Sequence, residues 1–315
     1  MRRAQPEAHL VVIGNFDGVH RGHQALLDAA TKDAAAHGLK PRLLTFRPHP
    51  AEVLGRTPPP VLTRPARKRE LIERLFPAIE VVEQRFDPAF ASLTPDAFAA
   101  WLATEQNAKR VVVGQNFRFG KGRAGGFEDL VRLGAANGFT ASSHEVVGDE
   151  AGGWSSTRIR GAIAAGDLEG AERMLGRPHM LIGEVVAGKR LGRTIGFPTA
   201  NLNGIVEMLP PFGVYATLVD REDESGARAI GLGAMSIGTN PTTDTTDGVK
   251  VEVFVLDFEG DLYGERLRVS VVSRLRGEAK YGTLDALVAQ MGRDVAEARR
   301  ILEPRKVLPE LGSYA

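Results

Sequence analysis

The sequence contains no cysteine among its 315 residues. Disulfide bonds, thiolate nucleophiles and cysteine-ligated metal or iron–sulfur centres are therefore excluded. It also has no apolar run approaching the roughly 18 residues of a membrane-spanning helix. The opening residues, "MRRAQPEAHL", include no apolar signal segment. These observations lead us to expect a cytoplasmic protein that makes no use of a membrane.

An excess of charge of one sign is missing as well. Forty lysines and arginines face 39 aspartates and glutamates, which gives a formal net charge of +1. Because no global field attracts nucleic acid, we expect no nucleic-acid partner, and any phosphate binding has to be local. The length and a hydrophobic content of 43% suffice for two domains. The sequence leaves the oligomeric state open.

The first half alternates short apolar runs with helical segments. "LVVIGN" and "PRLLTF" flank the helical stretch "RGHQALLDAATKDAAAHG", and "AIEVVEQ", "RVVVG" and "TASSHEVV" continue the alternation. This pattern predicts a Rossmann-like α/β domain over residues 1–178, with a parallel sheet covered by helices. In such sheets ligands bind beyond the carboxyl ends of the strands.

The second half of the sequence has a different pattern of apolar residues. From about Met180, runs such as "MLIGEVVAG", "GVYATLVD" and "KVEVFVLDFEG" predict strands separated by turns, and "TLDALVAQMGRDVAEARRIL" predicts a helix near the end. We predict an antiparallel β-barrel with a C-terminal helix over residues 179–315. The boundary falls where a helical run ends in Gly176 and Pro178.

The segment "VVIGNFDGVHRGH" carries the first candidate site. A strand ends at its first glycine, and a helix is expected from about Arg21, so the helix N-terminus favours an anion in the turn. His20 and His23 are three residues apart, on one helix face, and both can donate to phosphate oxygens. The alternative is a pair of surface or metal-binding histidines. The residues of the turn that we predict to bind the nucleotide are Gly14, Asn15, Phe16, Asp17 and Gly18.

Two further phosphate-loop patterns fail on spacing. "GQNFRFGK" has one residue too many for a Walker A loop, and "GKGRAG" lies too far beyond its strand for a dinucleotide fingerprint. "SSTRIRGAI" is more informative, because Ser156, Thr157 and Arg158 open a predicted helix. They form either a second anion site or a plain N-cap.

Taken in order, "GNFDGVHRGH", "TFRPHP", "VVVGQNFRFGKGRAG" and "SSTRIR" resemble the adenylyltransferase module of the bacterial bifunctional riboflavin kinase/FAD synthetase family. "GKRLGRTIGFPTANL" resembles the riboflavin kinase signature of the same family, and the resemblance runs from about Leu10 to Leu302. It implies an FMN adenylyltransferase domain over residues 1–178 and a riboflavin kinase domain over residues 179–315.

The resemblance also implies substrates and roles. Riboflavin, FMN and ATP would be the partners, and Mg²⁺ would be held with nucleotide phosphates by Thr199 and Asn201. Glu252 would be the base that accepts the proton of the riboflavin 5′-hydroxyl. Further residues of the kinase binding segments would be Gly188, Arg193, Pro198 and Arg276. In the transferase, His20, His23, Asn116 and Arg158 would stabilise the transition state at the α-phosphate.

Two other functions were weighed against this one. An adenylyltransferase for a nicotinate or pantetheine phosphate would share the H-x-G-H turn, but "GFPTAN" and the barrel argue against it. An inactive flavin-binding regulator would not need the full set of site residues. Departures from the family pattern are small: Gln115 stands where acidic residues are frequent, and Tyr281 where phenylalanine is common.

Overall fold

The computed structural model describes residues 7–144, 147–188, 195–223, 226–239 and 248–305. Contacts within the chain divide it into two compact units. The first comprises Met1–Pro60 and Pro65–Ser155, and the second comprises Val61–Arg64 and Ser156–Ala315. The boundary predicted at residues 178 and 179 stays a prediction.

The first unit is built on a five-stranded parallel sheet with the strand order β3-β2-β1-β4-β5. Its strands are β1 (His9–Ile13), β2 (Lys40–Arg47), β3 (Glu80–Arg85), β4 (Ala108–Gly114) and β5 (Thr140–His144). Its helices are α1 (Arg21–Ala36), α2 (Pro50–Val53), α3 (Pro65–Leu75), α4 (Pro88–Ala91), α5 (Pro95–Thr104) and α6 (Phe127–Asn137). A small hairpin, β6 (Gly148–Asp149) and β7 (Gly152–Gly153), follows. The predicted parallel α/β architecture is confirmed.

The central strand explains where a ligand can bind in this unit. All five residues of β1 are buried, as expected for a strand covered on both faces. Its neighbours are β2 on one side and β4 on the other, so the strand order reverses between β1 and β4. Sheets of this kind bind ligands beyond the carboxyl ends of the strands at such a reversal.

The second unit is a closed six-stranded antiparallel barrel with the strand order β10-β11-β12-β9-β8-β13, in which β13 pairs with β10. Its strands are β8 (His179–Val186), β9 (Thr199–Asn203), β10 (Gly213–Asp223), β11 (Gly226–Gly238), β12 (Lys250–Val255) and β13 (Arg266–Arg276). Its helices are α7 (Ser156–Ala165), α8 (Leu168–Leu175) and α9 (Leu284–Leu302). The barrel and its C-terminal helix confirm the predicted fold of the second half.

Alternation along the strands separates the core from the candidate site. Val251, Val253 and Val255 of β12 are buried in the barrel core, whereas Glu252 between them is half-buried on the opposite face of the strand. Leu168 of α8 joins the same core. Helix α8 therefore packs on the barrel.

Candidate active sites

The turn after β1 brings the two predicted histidines together. His20 is the N-cap of α1, and its Nδ1 accepts a hydrogen bond from the backbone N–H of His23 at 3.3 Å. The two imidazole rings stack with centroids 3.6 Å apart, and the Phe16 ring lies 4.6 Å from that of His23. Helix α1 begins at Arg21, as predicted. The side chains thus cluster at a helix N-terminus, where partial positive charge favours an anion.

The backbone of this turn is unusual. Phe16 and Val19 have φ values of 52° and 41°, in the left-handed region that residues with a Cβ rarely adopt, and Gly18 has a φ of 87°. Val19 is β-branched and fully buried, which makes its conformation an outlier. At Gly22 a Cβ would come within 3.1 Å of the His20 ring. Such strain persists only where the surrounding structure holds it, and it is common at functional sites.

His23 has the chemistry of a neutral hydrogen-bonding group. Its Nδ1 is buried and has no hydrogen-bond partner among the described residues. Burial lowers the pKa of His23 well below its ordinary value, and the nearby His20 and Lys68 lower it further. At neutral pH its ring is therefore uncharged, with one nitrogen able to donate and the other able to accept.

Three residues to which the sequence analysis gave no role also lie at this edge of the sheet. The Nδ2 atom of Asn15 is 3.0 Å from Nε2 of His49, which follows β2. Lys68 of α3 donates to the carbonyl of Asn15 at 2.9 Å and to the hydroxyl of Thr45 at 3.1 Å. Thr45 and His49 lie in "TFRPHP", a segment that resembles the family pattern but from which the sequence analysis singled out no residue. No local signal pointed to Lys68, because its partners are distant in sequence.

The remaining predicted transferase residues are distributed over both units. Asn116 is exposed and lies just beyond β4, at the carboxyl edge where the strand order reverses. Ser156, Thr157 and Arg158 form the first turn of α7, which belongs to the second unit. The confirmed local structure is a helix start. A role for these three residues at the nucleotide stays a prediction.

The second unit contains a cavity of about 1010 Å³. Six of the seven residues predicted for the kinase site line it: Gly188, Pro198, Thr199, Asn201, Glu252 and Arg276. The seventh, Arg193, lies outside the described residues. The six predicted kinase-site residues that the structure describes thus line the same cavity.

Strand pairing explains the grouping. Thr199 and Asn201 are two residues apart on β9, so their side chains point to the same face. In the antiparallel pairing of β9 with β12, Asn201 lies directly opposite Glu252. Directly opposed residues have Cβ atoms about 4.5–5.5 Å apart. A Cβ at Gly188 would overlap the amide of Asn201, so a larger residue there would force this amide to move.

Arg276 lies in the cavity wall with its guanidinium engaged. Its Nε and Nη2 donate to the Asp294 carboxylate of α9 at 3.0 and 2.7 Å, and this bonding raises the pKa of Arg276 above its ordinary value. Asp294 is buried and also accepts from Gln290 at 2.8 Å. The Arg276 guanidinium carbon lies 5.7 Å from the Tyr281 ring centroid. Sequence reasoning missed Asp294, which nothing in the helical pattern distinguishes from a solvent-facing acid.

Within the described ranges, no group of three or more histidine, aspartate or glutamate side chains could hold a metal ion. In the same part of the chain, no helix is long and apolar enough to cross a membrane.

The chain has two units, each with a candidate active site. The first is a strained turn at a helix N-terminus, where the strand order of a parallel sheet reverses, and the second is a polar cavity in a barrel. Family models give each site a description: the model for FAD synthetase matches residues 2–158, and the model for riboflavin kinase matches residues 175–302. The chain belongs to the bifunctional riboflavin kinase/FMN adenylyltransferase family.

Relatives in several bacteria support this membership. The chain is 38% identical to the bifunctional riboflavin kinase/FMN adenylyltransferase of Escherichia coli, over 95% of this chain and 94% of that protein. It is 35% identical to the protein of the same name in Pseudomonas fluorescens, over 96% of both chains. It is 34% identical to the one in Bacillus subtilis, over 92% of both chains.

A solved structure shares the fold. A crystal structure described as a macrolide-efflux protein from Streptococcus pneumoniae matches with a TM-score of 0.81 and 34% sequence identity, over 95% of this chain and 96% of that one. The described function of that protein differs from the name shared by the curated relatives. The likeness shows that the two chains share the fold.

Proposed function

We propose that this chain makes both flavin cofactors in succession. The barrel unit transfers the γ-phosphoryl group of ATP to riboflavin, which yields FMN and ADP. The first unit then joins FMN to the AMP part of a second ATP, which yields FAD and pyrophosphate. The observation that supports the proposal is that this family member has two separate sets of site residues, one at the N-terminus of α1 and one around the barrel cavity. Each set suits one of the two reactions.

The kinase reaction calls for a base, because an alcohol is a weak nucleophile. Glu252 lines the cavity and accepts the proton of the riboflavin 5′-hydroxyl. As it does so, the hydroxyl oxygen bonds to the γ-phosphorus of ATP, and the bond between that phosphorus and the ADP oxygen breaks. The strand pairing places this carboxylate opposite Asn201. The attacking oxygen is thereby held next to the polar edge of β9. Arg276 is held by Asp294 in the same cavity wall and would face the flavin or its phosphate.

Mg²⁺ fits the residues at this edge. Thr199 and Asn201 offer hard oxygen donors on one face of β9, and Gly188 leaves the room that the Asn201 amide occupies. Mg²⁺ binds few protein ligands beside substrate phosphates and retains several waters, so the lack of a carboxylate cluster among the described residues is compatible with it. When bound, the ion would neutralise charge on the phosphates being transferred.

The adenylyl transfer needs no base, because the FMN phosphate is already a nucleophile. Its oxygen attacks the α-phosphorus of ATP, and pyrophosphate leaves with the bonding electrons. His20 and His23 donate hydrogen bonds to phosphate oxygens at the N-terminus of α1. Asn116, next to the reversal of strand order, and Arg158 are the other proposed contacts of the phosphates.

The test is an assay of the purified protein with ATP and Mg²⁺, first with riboflavin and then with FMN, followed by chromatographic separation of the flavins. The wild type should form FMN and FAD. Glu252→Gln keeps the shape of the side chain but removes the base, so FMN formation should fall by about 10²–10⁴-fold. Conversion of supplied FMN to FAD should be nearly unchanged.

Glu259→Gln is the matched control, since Glu259 is exposed and does not line the cavity. It should behave as the wild type. Loss of both activities in a folded Glu252→Gln variant would contradict the two-site proposal.

A further inference from the structure

Lys68 occupies a special position in the first unit. It lies on α3, and its ammonium nitrogen donates to the carbonyl oxygen of Asn15 at 2.9 Å and to Oγ1 of Thr45 at 3.1 Å. Asn15 follows β1 and Thr45 lies near the carboxyl end of β2. The lysine therefore joins the ends of two adjacent strands at the ligand-binding edge of the sheet.

The charge of Lys68 has no close counter-ion. Among the residues that the structure describes, no carboxylate oxygen lies within 4.0 Å of its ammonium nitrogen. Lys32 and Lys40, by contrast, pair with Asp28 and Glu7. Burial lowers the pKa of Lys68 from its ordinary value, and Asp17 and Glu83 only partly oppose this effect from a distance. Lys68 is half-buried, and a partly desolvated charge without a close partner costs stability, so its presence calls for a functional explanation.

The bond to Asn15 acts on the strained part of the turn. The carbonyl that Lys68 holds belongs to the peptide directly before Phe16, whose φ is 52°. A hydrogen bond from a charged donor is stronger than one between neutral groups. Lys68 can therefore hold the backbone of the turn in the conformation that leads into the N-terminus of α1. The positive charge also reaches His23, where it contributes to the lowered pKa.

The ammonium group is suited to a second task. It has three N–H donors, and two of them bond to the Asn15 carbonyl and the Thr45 hydroxyl. Since the His23 ring is neutral, that ring contributes a hydrogen bond but no charge to the site. Lys68 brings positive charge to the edge where phosphates would bind, and the carboxylates of Asp17 and Glu83 offset that charge only in part.

We propose that Lys68 is a positioning residue for FMN adenylylation, which holds the turn after β1 and supplies positive charge beside the leaving pyrophosphate. This inference rests on the proposed function. Pre-organised donors and charges act most strongly where charge develops in the transition state. Loss of Lys68 should consequently lower kcat more than it raises the KM for ATP.

The experiment compares Lys68→Met with Lys68→Arg in the full-length protein, using FMN, ATP and Mg²⁺. Lys68→Met should lower kcat for FAD formation by about 10²-fold, with a change in the KM for ATP of less than about threefold. Lys68→Arg retains charge and donors and should recover at least about a tenth of the wild-type kcat. Lys32→Met, an exposed lysine on α1, is the control and should match the wild type.

Riboflavin phosphorylation by the same molecules reports the concentration of active protein, and the fluorescence of Trp101 and Trp154 reports folding of the first unit. A folded Lys68→Met variant with wild-type kcat would overturn the inference, as would equal loss of kcat in the Met and Arg variants. If Lys68→Met does not fold, Lys68→Gln takes its place, since it keeps a donor but no charge. Wild-type kcat in Lys68→Gln would overturn the role of the charge. A wild type that forms no FAD would refute the proposed function instead.

Discussion

Arg64 and Glu207 form an ion pair that allows a quantitative test of the second unit. The Glu207 side chain is 1% exposed and that of Arg64 is 12% exposed. Arg64 donates from Nε and Nη2 to the two carboxylate oxygens at 2.6 and 2.9 Å, and the N–H of Ile182 donates to the same carboxylate at 3.4 Å. The backbone N–H of Met208 donates to the Val61 carbonyl at 2.7 Å. Val61–Arg64 is thus attached to the barrel unit although the chain on either side of it belongs to the first unit.

The perturbation is Arg64→Ala, which leaves a buried carboxylate without its cation. Breaking a buried pair in this way costs about 3–5 kcal/mol of unfolding free energy. For a unit of this size such a loss lowers the midpoint of thermal unfolding by roughly 6–20 °C. Replacing both partners, Arg64→Met with Glu207→Leu, removes the buried charges together. The double variant should recover most of the loss.

The assay is thermal unfolding of the full-length protein with two signals. Both tryptophans, Trp101 and Trp154, lie in the first unit, so their fluorescence should be nearly unchanged. The riboflavin kinase activity that remains after heating follows the barrel, and far-ultraviolet circular dichroism follows the secondary structure of the whole chain. Arg173→Ala is the control, because its pair with Glu169 is exposed and contributes less than about 1 kcal/mol. A loss below about 1 kcal/mol in Arg64→Ala would refute the reasoning.

Two further predictions concern the separate sites. Alanine at both His20 and His23 should lower FAD formation by orders of magnitude, because two donors to the phosphates are lost, and should spare riboflavin phosphorylation. Elemental analysis of the wild type and the double variant is the companion measurement. A stoichiometric transition metal that disappears with the histidines would support the metal-binding alternative. A fragment of residues 156–315 should fold and phosphorylate riboflavin, since α8 packs into the barrel core. This fragment lacks Arg64, so the buried carboxylate of Glu207 has lost its cation. The same fragment with Glu207→Gln should therefore unfold at a higher temperature. Insolubility of both fragments would contradict the independence of the barrel unit.

The parts of the fold that were predicted correctly depend on local pattern. The spacing of His20 and His23, with glycine between them, was enough to predict a helix start with both rings on one face. The alternation in "KVEVFV" likewise predicted a strand, and its register places Glu252 opposite Asn201. In these cases neighbours in sequence decide which face a side chain occupies.

The features that the sequence did not predict depend on distant partners. Strand β9 begins at Thr199, within a segment rich in turn residues, and it becomes a strand by pairing with β8 and β12. Lys68 is 53 residues from Asn15, and Arg64 is 143 residues from Glu207. Single-sequence periodicity contains no information on such pairs, and the highly charged α3 gave no sign that its one lysine, Lys68, is half-buried at the edge of the sheet.

The two proposed reactions differ in what they require of a side chain, and this difference bears on how the turn after β1 works. Phosphorylation of an alcohol needs a base, and Glu252 is available in the barrel cavity. Adenylylation of a phosphate needs positive charge for the departing pyrophosphate. His23 is poorly suited to provide that charge, because burial lowers the pKa of its ring. Other groups therefore have to contribute the charge, and Lys68, which donates to the Asn15 carbonyl of the turn, is placed to be one of them. FAD formation should therefore depend on the charge of Lys68 and on the hydrogen bonding of His23, rather than on protonation of the His23 ring.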